Sequence, residues 1–197
     1  MSLYPKTAPT TEPVTTAEVK AYLRVDVSED DVLIGTLAVA ARRWVEELTG
    51  IKMMAQTWNY YLDQFEQGSV IKLPIGPVLS ITSVKYTDAA GTVNTVSASD
   101  YDTDLTSLPA RISLKSGKSW PSANLKTVNG VDIEFVCGYH ATASTTTSVP
   151  EELKLAIKMM VEHWYEHRGA VTEFTLEEAP LAVQSLLAGF RMWQRAL

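Results

Sequence analysis

The sequence predicts an α+β protein: a small helical bundle formed by the N- and C-terminal helices, with an antiparallel β module inserted between them. Three observations predict it. Apolar residues recur with helical period over residues 16–50 and again over 150–189. Between them, over about 55–140, the chain breaks into short runs rich in Val, Ile, Thr and aromatic residues, separated by Gly, Pro and Asp. No internal repeat divides the sequence, so the β stretch is an insertion into one helical unit whose two ends are expected to pack together.

Residues 1–15 carry Pro5, Pro9 and Pro13 among threonines and predict an extended arm. They contain no apolar core of the kind a signal peptide needs, so export is not expected. A short helix follows, roughly Thr16 to Leu23. Ser28, three residues before Asp31, has the spacing of an N-terminal cap, and "EDDVLIGTLAVAARRWVEELTG" then keeps helical period to a C-terminal cap at Gly50. At about 100° per residue, Leu33, Ile34, Leu37, Ala38, Ala41, Trp44, Val45 and Leu48 fall on one face. Asp31, Arg42, Arg43, Glu46 and Glu47 fall on the other.

The runs "TWNYYLDQF", "VIKL", "VLSITSVKY", "TVNTV", "RISLK" and "VDIEFVCGY" read as strands. Asp88 to Gly91 suits a type I turn closed by a left-handed glycine, which predicts a hairpin there. Val131, Ile133, Phe135 and Cys137 alternate onto one face, so Cys137 is expected in the core. "HATASTTTS" is a polar linker, after which Pro150 opens a helix running to Arg168 and stopped by Gly169. Leu153, Ile157, Met160, Val161 and Trp164 form its main apolar face, and Leu155 with Met159 a second patch. A helix apolar over more than half its circumference is either central or covered in part by another subunit. A last helix begins near Pro180 and includes "LAVQSLLAGF". Gly189 interrupts it, leaving residues 190–197 as a docking arm whose Phe190, Met192, Trp193 and Leu197 would otherwise be spent on a fraying end.

The chain has 197 residues, 46% of them hydrophobic and 20% charged, with a formal net charge of −6. These values fit an ordinary globular protein and argue against one that grips nucleic acid through a basic face. No apolar run approaches the about 18 residues a membrane span requires, so no membrane is expected as a partner. A single cysteine excludes an internal disulfide or a multi-cysteine zinc site and fits a reducing compartment.

Several motifs suggest chemistry. His163-Trp164-Tyr165-Glu166-His167 matches the H-x-x-E-H pattern of inverted zinc peptidases, with two imidazoles four residues apart on a helix and a carboxylate beside them as base. A third ligand is missing: His140, Glu173, Glu177 and Glu178 follow no recognisable downstream pattern. "SGKSW" ends like a Walker A loop, yet position 112 is Ile where the first glycine belongs, and Pro121 follows where a helix must start. The acid pairs Glu46 with Glu47 and Asp102 with Asp104 lack a tuned partner for acid catalysis. Arg42 with Glu46, and Arg43 with Glu47, are spaced as ion pairs. They either solvate the helix, worth ~0.2–0.5 kcal/mol each, or pair across a subunit boundary, where charge selects register.

Read together and in order, "AYLRVD", "EDDVLIGTLAVAARRWVEELTG", "LPIGPVLSITSVKYTDAAG", "YDTD", "ISLKSGKSWP", "VDIEFVCGY", "VPEELKLAIKMMVEHWYEHRG" and "APLAVQSLLAGFR" resemble the head-to-tail connector proteins of tailed phages and gene transfer agents, also called adaptor or head-completion proteins. The resemblance spans about Thr16 to Arg191. It implies a structural protein, not an enzyme, with no cofactor: one connector domain over 16–189, the arm 1–15 before it and the docking arm 190–197 after it. It implies a homo-oligomeric ring, of twelve copies, under the portal protein, with a central channel that DNA crosses without specific binding. A tail-side stopper or tail terminator would sit on the other face. The neck of a particle assembled in the bacterial cytoplasm is the implied location. Phe190, Arg191, Met192, Trp193 and Leu197 would then meet the portal, and Arg42, Arg43, Glu46, Glu47, Leu155 and Met159 would lie between subunits. The alternatives are a small metal-dependent hydrolase using His163, Glu166 and His167, or a monomeric binding domain presenting its hairpin.

Overall fold

The computed structural model describes residues 1–65, 68, 70–121, 124–139, 149–167 and 180–191. The element order is β1 (Ser2–Thr7), α1 (Thr16–Leu23), α2 (Asp31–Thr49), β2 (Gln56–Leu62), β3 (Val70–Lys72), β4 (Val78–Thr87) and β5 (Val93–Thr95). There follow β6 (Tyr101–Asp104), β7 (Arg111–Leu114), β8 (Val131–Cys137), α3 (Glu151–Glu166) and α4 (Leu181–Leu187), which tightens into a 3-10 turn over Ala188–Phe190. The α+β class and the order of helices, β module and helices are as the sequence predicts.

The helices begin and end where local chemistry allows. At α1 the Thr15 hydroxyl accepts from Glu18 N at 3.2 Å while Glu18 Oε2 accepts from Thr15 N at 2.7 Å, a reciprocal capping box. No such box forms at α2. There the cap residue Asp30 turns its carboxylate to the Tyr165 hydroxyl and makes no cap bond, and the carboxylate of Asp31, expected to pair with Ser28, instead accepts from Lys20 Nζ at 2.6 Å. The ammonium of a neighbouring helix outcompetes the local backbone N–H of Ser28 because it brings a full opposite charge. Gly50 closes α2 with φ of 73°, donating its N–H to Glu46 O at 3.0 Å.

The β module folds as two antiparallel sheets, one in the order β1-β2-β8-β4-β5 and one in the order β3-β7-β6. Central β8 alternates as expected, with Val131, Ile133, Phe135 and Cys137 buried. In the β4–β5 hairpin Gly91 N donates to Asp88 O at 2.9 Å, and Gly91 has φ of 89°, the turn the sequence predicts. Two strands are additional. Ser2–Thr7, within the stretch expected to be an extended arm, pairs antiparallel with β2 as the edge of the larger sheet. Tyr101–Asp104, too rich in aspartate to read as a strand, is an edge of the smaller one.

Two hydrophobic clusters result. The helical one draws Val14 and Val19 from the N-terminal side and Val183 and Leu187 from the C-terminal side around Ile34, Val45, Ile157 and Met160, so the N- and C-terminal helices do pack together. The β cluster centres on Ile71, Ile112, Ile133 and Phe135. Residues 50–56 join them, and Gly138 marks the closest crossing: a Cβ there would sit 2.6 Å from the Met54 carbonyl, and its φ of 138° suits only glycine. Among the described residues no helix is long and apolar enough to cross a membrane.

Candidate functional site

The zinc-like motif lies at the end of α3. Its two imidazole centroids are 5.0 Å apart, and His167 Nδ1 lies 2.9 Å from the His163 carbonyl, the position of an i,i+4 helix-end bond. Glu166 and His167 are exposed and His163 is half-buried. Among the described residues no three His, Cys, Asp or Glu side chains converge on one point. His140, Glu173, Glu177 and Glu178 lie outside the described residues, as do Arg168 and Gly169. The Walker-like "SGKSW" is a surface turn whose Lys118 is held by Asp100 at 2.7 Å. Cys137 is fully buried, and burial pushes its thiol up, away from reactivity.

The charges of α2 divide unexpectedly. Arg43 and Glu47 are exposed, as the wheel predicts, but Arg42 and Glu46 are only 4% and 3% exposed. The stretch after the N-terminal strand crosses this edge of the helix. Glu12 takes Arg42 Nε at 2.5 Å and Nη2 at 3.2 Å, while Arg42 Nη1 donates to Glu46 at 3.1 Å. Burial works against the charge of Arg42, but the bond to Glu12 and the field of Glu46 outweigh it and raise its pKa. The Glu46 carboxylate also accepts from Met53 N at 3.0 Å and Gln56 Nε2 at 3.3 Å, with Lys52 Nζ at 3.6 Å. Lys52 in turn lies 4.8 Å from the Trp58 ring centroid, a cation–π contact. This network joins helix, arm and sheet inside one chain. Neither a solvated pair nor a contact that waits for another subunit describes Arg42 and Glu46.

Apolar surface gathers elsewhere on the bundle. Trp44 of α2 and Trp164 of α3 flank an open groove of about 640 Å³ along Thr36, Val39, Ala40, Arg43 and Glu47. Trp164, expected in the main apolar face, is half-buried: it packs against the helical core and lines this groove. Leu155 is 40% exposed, and Met159, one turn on, packs partly against the helical core. At the C-terminal end Phe190 packs partly against the same core and Arg191 is half-buried. Met192, Trp193 and Leu197 lie outside the described residues.

The fold has known counterparts. It is similar to a chain in the neck of an empty gene transfer agent particle computed with C6 symmetry, with a TM-score of 0.79 and 24% identity over 97% of this chain and 95% of that one. A chain of the native gene transfer agent virion matches with a TM-score of 0.79 and 23% identity over 97% and 95%. One in the neck of the native particle computed with C12 symmetry matches with a TM-score of 0.73 and 22% identity over 97% and 95%. Comparison with curated proteins finds no match. The model of the head completion protein family, however, matches residues 12–177, which take in α1, α2, the strands β2 to β8 and α3. The chain therefore belongs to the head completion protein family.

Proposed function

We propose that this chain is a structural head-to-tail connector subunit in the neck of a phage or phage-like particle. The observation that carries the reading is the family match over residues 12–177. A fold similar to neck chains along 97% of its length supports it. Twelve copies form a ring under the portal, a number that satisfies both the C6 and the C12 symmetry of those necks. DNA passes through the central channel without specific binding. A net charge of −6 supports this, since each basic contact to phosphate would add salt-dependent affinity and slow the passage.

Residues 16–189 act as one connector domain. The arm Phe190–Leu197 reaches the portal through Phe190, Arg191, Met192, Trp193 and Leu197, and a tail-side stopper or tail terminator docks on the opposite face. Neighbouring subunits meet through the exposed charges Arg43 and Glu47 and the apolar pair Leu155 and Met159, while Arg42 and Glu46 hold that surface in shape from beneath. The particle is assembled in the bacterial cytoplasm.

The test is removal and return of the chain in cells that make the particle. Without it, DNA-filled heads should accumulate untailed. A tagged copy should restore tails and reconstruct as a twelve-fold ring between portal and tail. Tailed particles made in normal number without the chain would overturn the reading.

A further inference from the structure

Resting on the connector reading above, we propose that neighbouring copies are joined helix to helix: the outward face of α2 in one copy receives the outward face of α3 in the next. From Val32 to Ala41, "VLIGTLAVAA", α2 contains no charged residue. Only part of that run is used by the core. Ile34, Ala38 and Ala41 are buried, whereas Val32 is 83% exposed and Thr36 and Ala40 are exposed as well. A helix face left to water carries polar side chains. This one presents methyl groups, because the only hydroxyl on it, Thr36 Oγ1, donates to the Val32 carbonyl at 2.8 Å. Thr36, Val39, Ala40, Arg43 and Glu47 recur at steps of three and four, the seam spacing of packed helices. The small side chains of Thr36 and Ala40 allow a close approach of the axes, and Trp44 with Trp164 walls one side.

The complementary surface is on α3. Leu155 and Met159 lie one turn apart: Leu155 is 40% exposed on the side turned away from buried Leu153 and Ile157, and Met159, packed partly against the core, is half-buried at its border. Glu152, about one turn before Leu155, is exposed and has no ionic partner among the described residues. Arg43, about one turn after Ala40, likewise has none among them. Antiparallel docking sets Leu155 and Met159 over Ala40 and Thr36, brings Glu152 to Arg43, and turns Glu47 toward the positive N-terminal end of α3. The parallel arrangement would bring Arg43 to Glu162, which already accepts from the Tyr22 hydroxyl at 3.2 Å within its own chain, and would set Glu47 against Glu166. Both faces point out of the bundle, so they cannot satisfy each other within one chain. A contact between two unlike faces propagates from copy to copy and closes into a ring, whereas a self-complementary contact would stop at a dimer.

The experiment is cross-linking of the full chain in assembled particles. Ala40→Cys and Leu155→Cys together should, on oxidation, give a ladder extending beyond the dimer, while either substitution alone should give none, Cys137 being buried. Dimers from a single substitution, or no ladder from the double variant in particles that contain the chain and carry tails, would overturn this interface and leave the connector reading standing. Absence of the wild-type chain from particles would overturn both. A charge exchange covers a cysteine variant that does not assemble: Arg43→Glu or Glu152→Arg alone should lower tailed particles by more than about tenfold, and the two together should return them to within about twofold of wild type. Unchanged yield in the single variants, or failure of the pair to restore it with thermal unfolding unchanged, would also overturn the interface.

Discussion

Glu46 accepts hydrogen bonds from Arg42, Met53 N and Gln56, with the Lys52 ammonium nearby, so one buried carboxylate ties the end of α2 to the start of β2. Removing it leaves Arg42 and Lys52 with less than their full compensation. Glu46→Ala should therefore cost about 3–5 kcal/mol, the usual penalty for breaking a buried pair. Urea unfolding at neutral pH would measure it, and a midpoint equal to that of Glu47→Ala, an exposed neighbour, would contradict the network. Counting angles along the sequence could not have found this site. The count treats a charge as solvated, while Glu12 and Lys52, which make burial tolerable, lie outside the helix. A second prediction concerns acid. Bonds from Thr15 hold the Glu18 carboxyl below its ordinary value of 4.5. Bonds from Ser107, Arg111 and Thr106 hold Asp104 well below the carboxylate range. A group depressed in the folded state contributes stability that is present above its unfolded pKa and lost as pH falls through the folded one. Stability should thus decline from about pH 5 downward, and Glu18→Gln should flatten that decline when unfolding is followed against pH.

At the scale of elements, α1, α2 and α3 were legible because their apolar residues keep period 3.6 over two turns or more. β8 was legible through strict alternation of buried residues. β1 and β6 were not, for opposite reasons: one carries a proline, the other is half aspartate, and both are tolerated because each is an edge that need not bury two faces. The buried face of α3 keeps the phase its apolar residues predict except at its end. Ile157 and Met160 are buried, but Trp164 is half-buried, packing against the helical core on one side and lining the groove over Val39 and Ala40 with the other. A half-buried tryptophan loses less on truncation than its size suggests. Trp164→Ala should cost about 1–2 kcal/mol, less than the about 2–5 expected for fully buried Ile157→Ala. Paired thermal melts of the two variants would check the ranking, which inverts if Trp164 is the deeper residue in solution.

For the whole molecule, the described residues bury two cores and leave apolar surface at places suited to partners: the α2 groove and the outer side of α3. The sequence showed that such surface existed, since hydrophobic excess is a local property, but not how it divides between the chain's own core and a neighbour. Phe190 illustrates the division. It reads as part of a docking arm, yet it packs partly against the helical core that also holds Val183 and Leu187. The informative truncation therefore begins after Arg191. Deleting residues 192–197 removes Met192, Trp193 and Leu197 while sparing every described residue of the helical core, so the unfolding midpoint should stay within about half a kcal/mol of the intact chain. Under the proposed function attachment to portal-bearing heads should fall steeply, because the loss would be repeated in each subunit of the proposed ring and avidity would multiply it. Sedimentation of purified heads with intact or truncated chain measures this directly. Equal recovery of the two chains with heads would move the portal contact away from residues 192–197 and onto the folded body of the connector.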